Sequence, residues 1–243
     1  MLKNFVSKLV EAFFPSHCLA CEKIISRDGL FCSECWLKLQ FVTDPKCKIC
    51  SYPFEIEIAH TSPLCSKCLI KKPSYDKLLT IFRYNHVIKK IIGSFKYRDQ
   101  TFLAKKFSKI LADKARSEIV DCDFIVAVPL HPKKLRERKF NQAVFLCRNL
   151  LKFFPEKIFY PEMLLRMKNT RPQVELRKKE REKNLKRAFL VKPKYRDLVS
   201  GKKILLVDDV ATTGATLENC AKELKRCGAK EVVVLTIAKT IFG

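Results

Sequence analysis

The spacing of apolar side chains divides the chain into three parts. Residues 1–14 show helical spacing on one face, with apolar side chains at Leu2, Phe5, Val6, Leu9, Val10 and Phe13. Residues 15–72 have no long periodic element and are punctuated by cysteine and proline. From residue 73 onward, apolar runs of strand length alternate with stretches of helical spacing. We therefore expect an amphipathic helix at 1–14, a small module at 15–72 and a larger domain at 73–243.

The larger domain shows the alternation of an α/β fold. Its strand patterns cover residues 124–128, 164–167, 203–207 and 231–237. Its helical patterns cover residues 102–111, 141–153 and 217–224. Strands separated by helices are typical of a mostly parallel sheet with flanking helices. Residues 169–187 are polar, highly charged and weakly periodic, which predicts a mobile loop or an exposed helix.

The charge of the chain points to a polyanionic partner. Lys and Arg number 49 against 25 Asp and Glu, which gives a net charge of +24. Residues 1–70 hold 8 basic and 7 acidic side chains, so residues 71–243 hold 41 and 18, a net of +23. Nucleic acid, a pyrophosphate compound and an anionic membrane surface all fit this excess, which lies outside the cysteine-rich module.

The cysteine pattern predicts two zinc sites and a reducing compartment. Four CxxC pairs place two sulfurs each at one centre, and a structural zinc ion takes four thiolates. The pairs are Cys18/Cys21, Cys32/Cys35, Cys47/Cys50 and Cys65/Cys68. The short linkers favour sequential pairing into two zinc ribbons, with an interleaved, RING-like arrangement as the alternative. Dithiol redox chemistry is the less favoured explanation, because all eight cysteines follow the same CxxC spacing.

Several consequences follow for location and partners. Eight thiolates and two Zn²⁺ add about −4 to the module, which makes it a poor DNA clamp, so it is expected to dock a partner or brace the larger domain. No apolar run is long enough to span a bilayer, and residues 1–14 lack a cleavage site. We expect a cytoplasmic protein whose N-terminal helix packs on the protein, with peripheral contact at the inner membrane as the alternative.

Residues 203–217 read KILLVDDVATTGATL and predict a site for a sugar phosphate. A buried strand ends in Asp208 and Asp209, and a turn of small and hydroxyl residues opens a helix, whose N-terminus favours an anion. The predicted phosphate-binding residues are Val210, Ala211, Thr212, Thr213, Gly214, Ala215 and Thr216. The two carboxylates can accept hydrogen bonds from ribose hydroxyls and help to hold Mg²⁺. An ordinary helix cap is the alternative, but it accounts for one hydroxyl only.

This segment resembles the phosphoribosyl pyrophosphate (PRPP) motif of type I phosphoribosyltransferases. The resemblance implies a five-stranded parallel sheet with flanking helices, and PRPP with Mg²⁺ as ligand. Such enzymes place a pyrophosphate-binding loop after an earlier strand, here following residues 124–128. The candidate anion contacts there are His131, Lys133, Lys134, Arg136 and Arg138. A solvated basic helix face is the alternative for the cations, and His131 could either donate to pyrophosphate or cap the turn.

Nearly the whole chain resembles the ComF family of competence proteins. The motifs that carry the resemblance are the four CxxC pairs and residues 95–97, 128–131, 136–142, 170–173, 181, 184, 188–189 and 208–216. Lys139 departs from the family, which usually has glycine there. The resemblance implies a role in natural transformation, in which incoming single-stranded DNA is handled on the cytoplasmic side of the inner membrane. It also implies a helicase-like partner and a nearby uptake channel.

Two classes of function are compatible with these features. One is a phosphoribosyltransferase acting on a nucleobase or another small acceptor, with residues 169–187 closing over the site as a hood. The other is a DNA-handling protein that keeps the PRPP site. The candidate DNA contacts are Arg177, Lys178, Lys179, Arg181, Lys186 and Arg187. The aromatic residues Phe95, Tyr97, Phe102 and Phe140 could stack on bases or belong to the core.

Overall fold

The structure is a computed structural model that describes residues 15–25, 30–55, 63–97, 102–167 and 188–241. Residues 1–14, predicted as an amphipathic helix, lie outside the described residues. The same holds for the charged segment 169–187 and therefore for all six candidate DNA contacts named above.

The described part of the chain alternates strands and helices. The strands are β1 Ser16–His17, β2 Ile24–Ile25, β3 Lys77–Arg83, β4 Phe124–Ala127, β5 Ile158–Tyr160, β6 Leu164–Arg166, β7 Phe189–Val191, β8 Lys203–Ala211 and β9 Glu231–Lys239. The helices are α1 Ser33–Leu37, α2 Ser66–Ile70, α3 His86–Tyr97, α4 Phe102–Lys114, α5 Arg116–Asp121, α6 Pro132–Arg138, α7 Gln142–Leu150, α8 Arg196–Val199 and α9 Ala215–Arg226. A short 3₁₀ turn, Pro193–Tyr195, precedes α8.

A five-stranded parallel sheet forms the centre of the larger domain, in the order β3-β9-β8-β4-β5. Residues 204–207 of β8 and 232–238 of β9 are buried, as expected for central strands covered on both faces. The predicted fold class is confirmed. The edge strand β5 was not predicted, because it is three residues long and its first residue, Ile158, is exposed.

Two elements differ from the sequence prediction at the edge of the sheet where the strands end. The apolar pattern predicts a strand that stops before Asp208, whereas β8 continues to Ala211. It does so because β9 is equally long and pairs with it, Asp208 with Thr236 and Ala211 with Lys239. Residues 132–138, predicted as a loop, form the helix α6.

The cysteine-rich module lies against the open edge of the sheet. Phe41 forms an antiparallel bridge with Phe82 of β3, and the Val42 amide donates to the Ile81 carbonyl at 2.8 Å. Farther back along the same strand, the Leu78 amide donates to the Ile49 carbonyl at 2.7 Å. A free strand edge is an aggregation hazard, and these contacts cover it. Of the two roles predicted for the module, bracing the larger domain is therefore seen directly.

Candidate functional site

The eight paired cysteines converge into two clusters. Cys18, Cys21, Cys32 and Cys35 form one cluster, and Cys47, Cys50, Cys65 and Cys68 form the other, with the sulfur atoms within 4.8 Å of one another in each. Tetrahedral zinc with bonds of about 2.3 Å separates sulfurs by about 3.8 Å, and the Cys21–Cys32 and Cys50–Cys65 Sγ distances are 3.6 and 3.5 Å. The clusters fit two zinc ions, and the pairing is sequential, as predicted.

The acidic pair lies near the C-terminal end of β8, in the middle of the sheet. The Asp209 amide donates to the Asp208 carboxylate at 2.8 Å. Strand β9 pairs with β8 on one side of the acidic pair. On the other side of β8, the Val128 amide donates to the Val207 carbonyl at 2.9 Å. The segment that follows β4 therefore starts beside the acidic pair, and the two predicted loops share one edge of the sheet.

Burial and a neighbouring charge change the pKa of Asp208. Desolvation, reinforced by the charge of Asp209, raises the pKa of Asp208 to about 7, while the Lys96 and Arg166 charges oppose the rise. Lys96, on α3, holds its ammonium 2.8 Å from the Asp209 carboxylate, and both side chains are largely buried. Asp208 is thus poised to change protonation near neutral pH.

Lys96 and Arg166 belong to the site although they were not among the predicted site residues. Arg166, at the end of β6, lies over the Phe189 ring at 5.4 Å and interacts electrostatically with Asp208 and Arg138; burial lowers its pKa. Lys96 lies within the 95–97 motif that supports the family resemblance, and Arg166 is a charge inside an apolar strand pattern. The sequence therefore singles out both cations, but it does not indicate that either of them lies near Asp208 and Asp209.

The loop between β8 and α9 has the backbone of an anion site. Gly214 adopts φ 77°, which favours glycine, and a methyl group built there would meet no atom within 4 Å, so a ligand can approach closely. The hydroxyl groups of Thr212 and Thr213 lie on exposed residues, and the Ala215 amide donates to Thr213 Oγ1 at 3.4 Å. The twelve-residue helix α9 starts at this point with its amides facing the loop.

The segment after β4 is a capped basic helix. His131 Nδ1 accepts from the Lys133 amide at 3.2 Å and Pro132 begins the helix, so His131 caps the turn, one of its two predicted roles. Asn141 closes the segment by donating to the Val128 carbonyl at 3.0 Å. The residues predicted as a pyrophosphate loop thus follow β4 as a helix, because this cap and good helix formers favour one.

Lys139 takes the backbone path that glycine would take. It ends α6 in the left-handed region at φ 62°, which favours glycine, so a lysine at this position adds strain. We expect Lys139→Gly to raise the free energy of unfolding by about 0.5–1 kcal/mol. Chemical denaturation of the purified protein checks this. Arg136→Gly, which also removes one positive charge but from the middle of α6, should instead lower it by about 1 kcal/mol; equal effects of both variants would refute the assignment of strain.

The predicted stacking residues divide between core and surface. Phe95 is fully buried and packs on Phe140 at 6.2 Å, and Phe140 also packs on Phe145 at 5.0 Å. Phe95 therefore belongs to the core, one of the two predicted alternatives, and does not offer a stacking surface. Phe102 remains half exposed, with the Lys106 ammonium 6.0 Å from its ring. The Tyr97 side chain lies outside the described part of the structure.

The fold and the site together define a phosphoribosyltransferase-type domain joined to a double zinc ribbon. The double zinc ribbon domain family matches residues 9–69, and the phosphoribosyl transferase domain family matches residues 159–240. A solved structure of glutamine PRPP amidotransferase from B. subtilis, complexed with ADP and GMP, is 22% identical, with a TM-score of 0.38 over 55% of this chain and 25% of that one.

Two curated relatives extend over almost the whole chain. Competence protein F of Haemophilus influenzae is 30% identical over 93% of this chain and 98% of its own length. The DNA utilization protein YhgH of Escherichia coli K12 is 27% identical over 92% of this chain and 90% of its own. The chain belongs to the competence protein F (ComF) family. Within the described residues, no helix is both long and apolar enough to cross a membrane.

Proposed function

We propose that the chain binds PRPP together with Mg²⁺ at the edge of the sheet formed by β8 and β4. The observation that carries the proposal is that three features lie at or follow the ends of these two neighbouring strands. These are the acidic pair Asp208 and Asp209, the open glycine–threonine loop before α9, and the basic helix α6. A sugar that carries a phosphate at one end and a pyrophosphate at the other needs all three.

Each feature has its own part of the ligand to bind. The loop amides and the hydroxyls of Thr212, Thr213 and Thr216 receive the 5′-phosphate at the positive end of α9. The carboxylates of Asp208 and Asp209 accept hydrogen bonds from the ribose hydroxyls, and such oxygens also suit Mg²⁺. The basic side chains of α6, which are Lys133, Lys134, Arg136 and Arg138, face the pyrophosphate.

In this arrangement Asp209 must exchange its partner when the ligand binds. Its carboxylate holds the Lys96 ammonium at 2.8 Å, and the ribose hydroxyls compete for the same oxygens. Lys96 then stays within reach of the ligand as a mobile cation on a flexible stem. If transfer occurs, the bond from the anomeric carbon to pyrophosphate breaks and pyrophosphate leaves with the electron pair. An acceptor forms the new bond and gives up its proton to solvent water. Bound Mg²⁺ would supply charge neutralisation of the leaving group.

Calorimetric titration tests the ligand assignment. PRPP should bind with Mg²⁺ present and should bind more tightly than ribose 5-phosphate or pyrophosphate alone, because each of these fills only part of the site. Equal affinity for pyrophosphate and PRPP would contradict a phosphoribosyl site and leave a general anion site.

Release of pyrophosphate from labelled PRPP in the presence of nucleobases or DNA separates a transferase from a binding protein.

We further propose that the protein handles single-stranded DNA during DNA uptake, as its relatives named for competence and DNA utilization would imply. The supporting observation is the net charge of +23 on residues 71–243, together with the half-exposed Phe102 beside Lys106 on α4. The predicted contacts at Arg177, Lys178, Lys179, Arg181, Lys186 and Arg187 add positive charge to the same part of the sequence. A helicase-like partner and an uptake channel at the inner membrane are the partners that the family implies.

A salt series tests the DNA proposal. If phosphate contacts dominate, affinity for a labelled single strand should fall by about 10- to 100-fold between 50 and 200 mM salt. Fluorescence anisotropy measures this, and the slope should persist when Asp208 and Asp209 are both changed to alanine. Loss of DNA binding in that variant would show one shared surface, and binding that ignores salt would refute the electrostatic proposal.

A further inference from the structure

The first zinc ribbon presents an aromatic row that runs from the core to solvent. Phe82 of β3 is buried, Phe41 packs on it at 5.0 Å, and Trp36 packs on Phe41 at 5.3 Å. At its outer end Trp36 is 53% exposed and the adjacent Leu37 is 84% exposed. We call Trp36, Leu37 and Phe41 the ribbon patch. A cluster of large apolar side chains in solvent marks a contact site.

We propose that residues 1–14 of the same chain pack on the ribbon patch as an amphipathic helix. Helical spacing gathers their apolar side chains on one face, and these are Leu2, Phe5, Val6, Leu9, Val10 and Phe13. The double zinc ribbon family match begins at residue 9, so the second half of this segment belongs to the ribbon family's own region. Such a helix is about 21 Å long and can cover the patch.

The attachment point of the segment lies near the patch. Residue 15 is three positions before Cys18, and Trp36 directly follows Cys35. The sulfurs of Cys18 and Cys35 belong to one cluster and lie within 4.8 Å of each other. A short tether gives an effective concentration of about millimolar, which favours this segment over any apolar partner that must arrive from solution.

Charge argues against an anionic bilayer as the occupant. Residues 1–70 carry a net charge of +1, and eight thiolates with two Zn²⁺ add about −4, which leaves about −3. Anionic lipids attract basic segments, so this module gains nothing from their surface charge. Burial of apolar area is the remaining driving force, and the tethered segment supplies that area.

Trp36 is the single tryptophan of the chain and reports on the patch directly. In the zinc-loaded full-length protein, Phe5→Asp with Leu9→Asp should shift Trp36 emission to longer wavelength and raise acrylamide quenching about twofold, because the indole loses its cover. Asn4→Asp with Ser7→Asp adds the same charge to the polar face and should leave both signals unchanged. Zinc content of two per chain in each variant shows that the ribbons remain folded.

A second variant changes the ribbon patch instead of residues 1–14. Leu37→Glu should release the segment by itself. When Phe5→Asp and Leu9→Asp are introduced into the Leu37→Glu variant, the red shift that they cause should therefore be smaller than in the parent protein. Lys38→Glu, beside the patch, should not release it. Unchanged Trp36 emission in Phe5→Asp/Leu9→Asp overturns the proposal. A blue shift on adding anionic vesicles to the unaltered protein, or one that grows with protein concentration, also overturns it and identifies a bilayer or a second copy as the occupant.

Discussion

Cys65→Ser is expected to remove one of the two zinc ions and to destabilise the whole chain. The Cys65 cluster belongs to the second ribbon, where the Ile49 carbonyl accepts from the Leu78 amide at the sheet edge. Structural zinc contributes about 10–16 kcal/mol in zinc-finger peptides, and three remaining ligands retain only part of that. Loss of this ribbon uncovers the start of β3 at Leu78, so aggregation should accompany the lower melting temperature.

Zinc stoichiometry and thermal unfolding measure this outcome. Cys227→Ser is the matched control, because Cys227 is a partly buried thiol outside both clusters. It should retain two zinc ions and an almost unchanged melting temperature. If Cys65→Ser also keeps both ions, or melts like Cys227→Ser, the second cluster is not the structural zinc site assigned here.

Asp208→Asn combined with Asp209→Asn is expected to lower the affinity for PRPP and Mg²⁺ by about 100-fold or more. Each charge-assisted hydrogen bond contributes about 1.5–3 kcal/mol, and the change removes the carboxylate oxygens that the ribose and the metal require. Titration calorimetry at pH 8 measures the loss. Asp197→Asn, on the exposed helix α8, is the control and should bind as the parent protein does.

The pH dependence gives this prediction a second readout. Because burial raises the pKa of Asp208 to about 7, the ligand-free protein holds a proton there at pH 6 and loses it by pH 8. PRPP affinity of the parent protein should therefore rise with pH across this range, and that of Asp208→Asn should rise much less. A parent affinity that is flat from pH 6 to 8 would contradict a direct role for the Asp208 carboxylate.

Stability separates lost binding from lost folding. The folded state binds the Asp208 proton more tightly than the unfolded state does, so this group's contribution to stability falls as pH rises through about 7. Asparagine carries no charge, so Asp208→Asn removes the cost of burying an ionised carboxylate at this position. At pH 8 the ligand-free variant should be more stable than the parent, by about 1–3 kcal/mol, while it binds PRPP less well.

Features encoded in contiguous sequence were predicted well. The central strands are continuous apolar runs because both of their faces are covered, so the pattern alone indicates a parallel sheet. A CxxC turn brings its own two sulfurs together, and short linkers restrict which turns can meet, so the zinc clusters and their sequential pairing followed from spacing. The loop from Asp208 to Thr216 is likewise local, because its strand end, turn and helix start are adjacent along the chain.

Only the tertiary structure decided what reaches that loop from elsewhere. Lys96 and Arg166 come from α3 and β6, and no sequence pattern indicates which buried carboxylate a distant cation will meet. The extent of β8 depends on the length of β9, and the contact between Phe41 and Phe82 depends on an edge that exists only once the sheet is formed. Periodicity records which face of an element is buried, whereas ion pairs, strand ends and docked edges depend on the neighbour, which folding alone brings into contact.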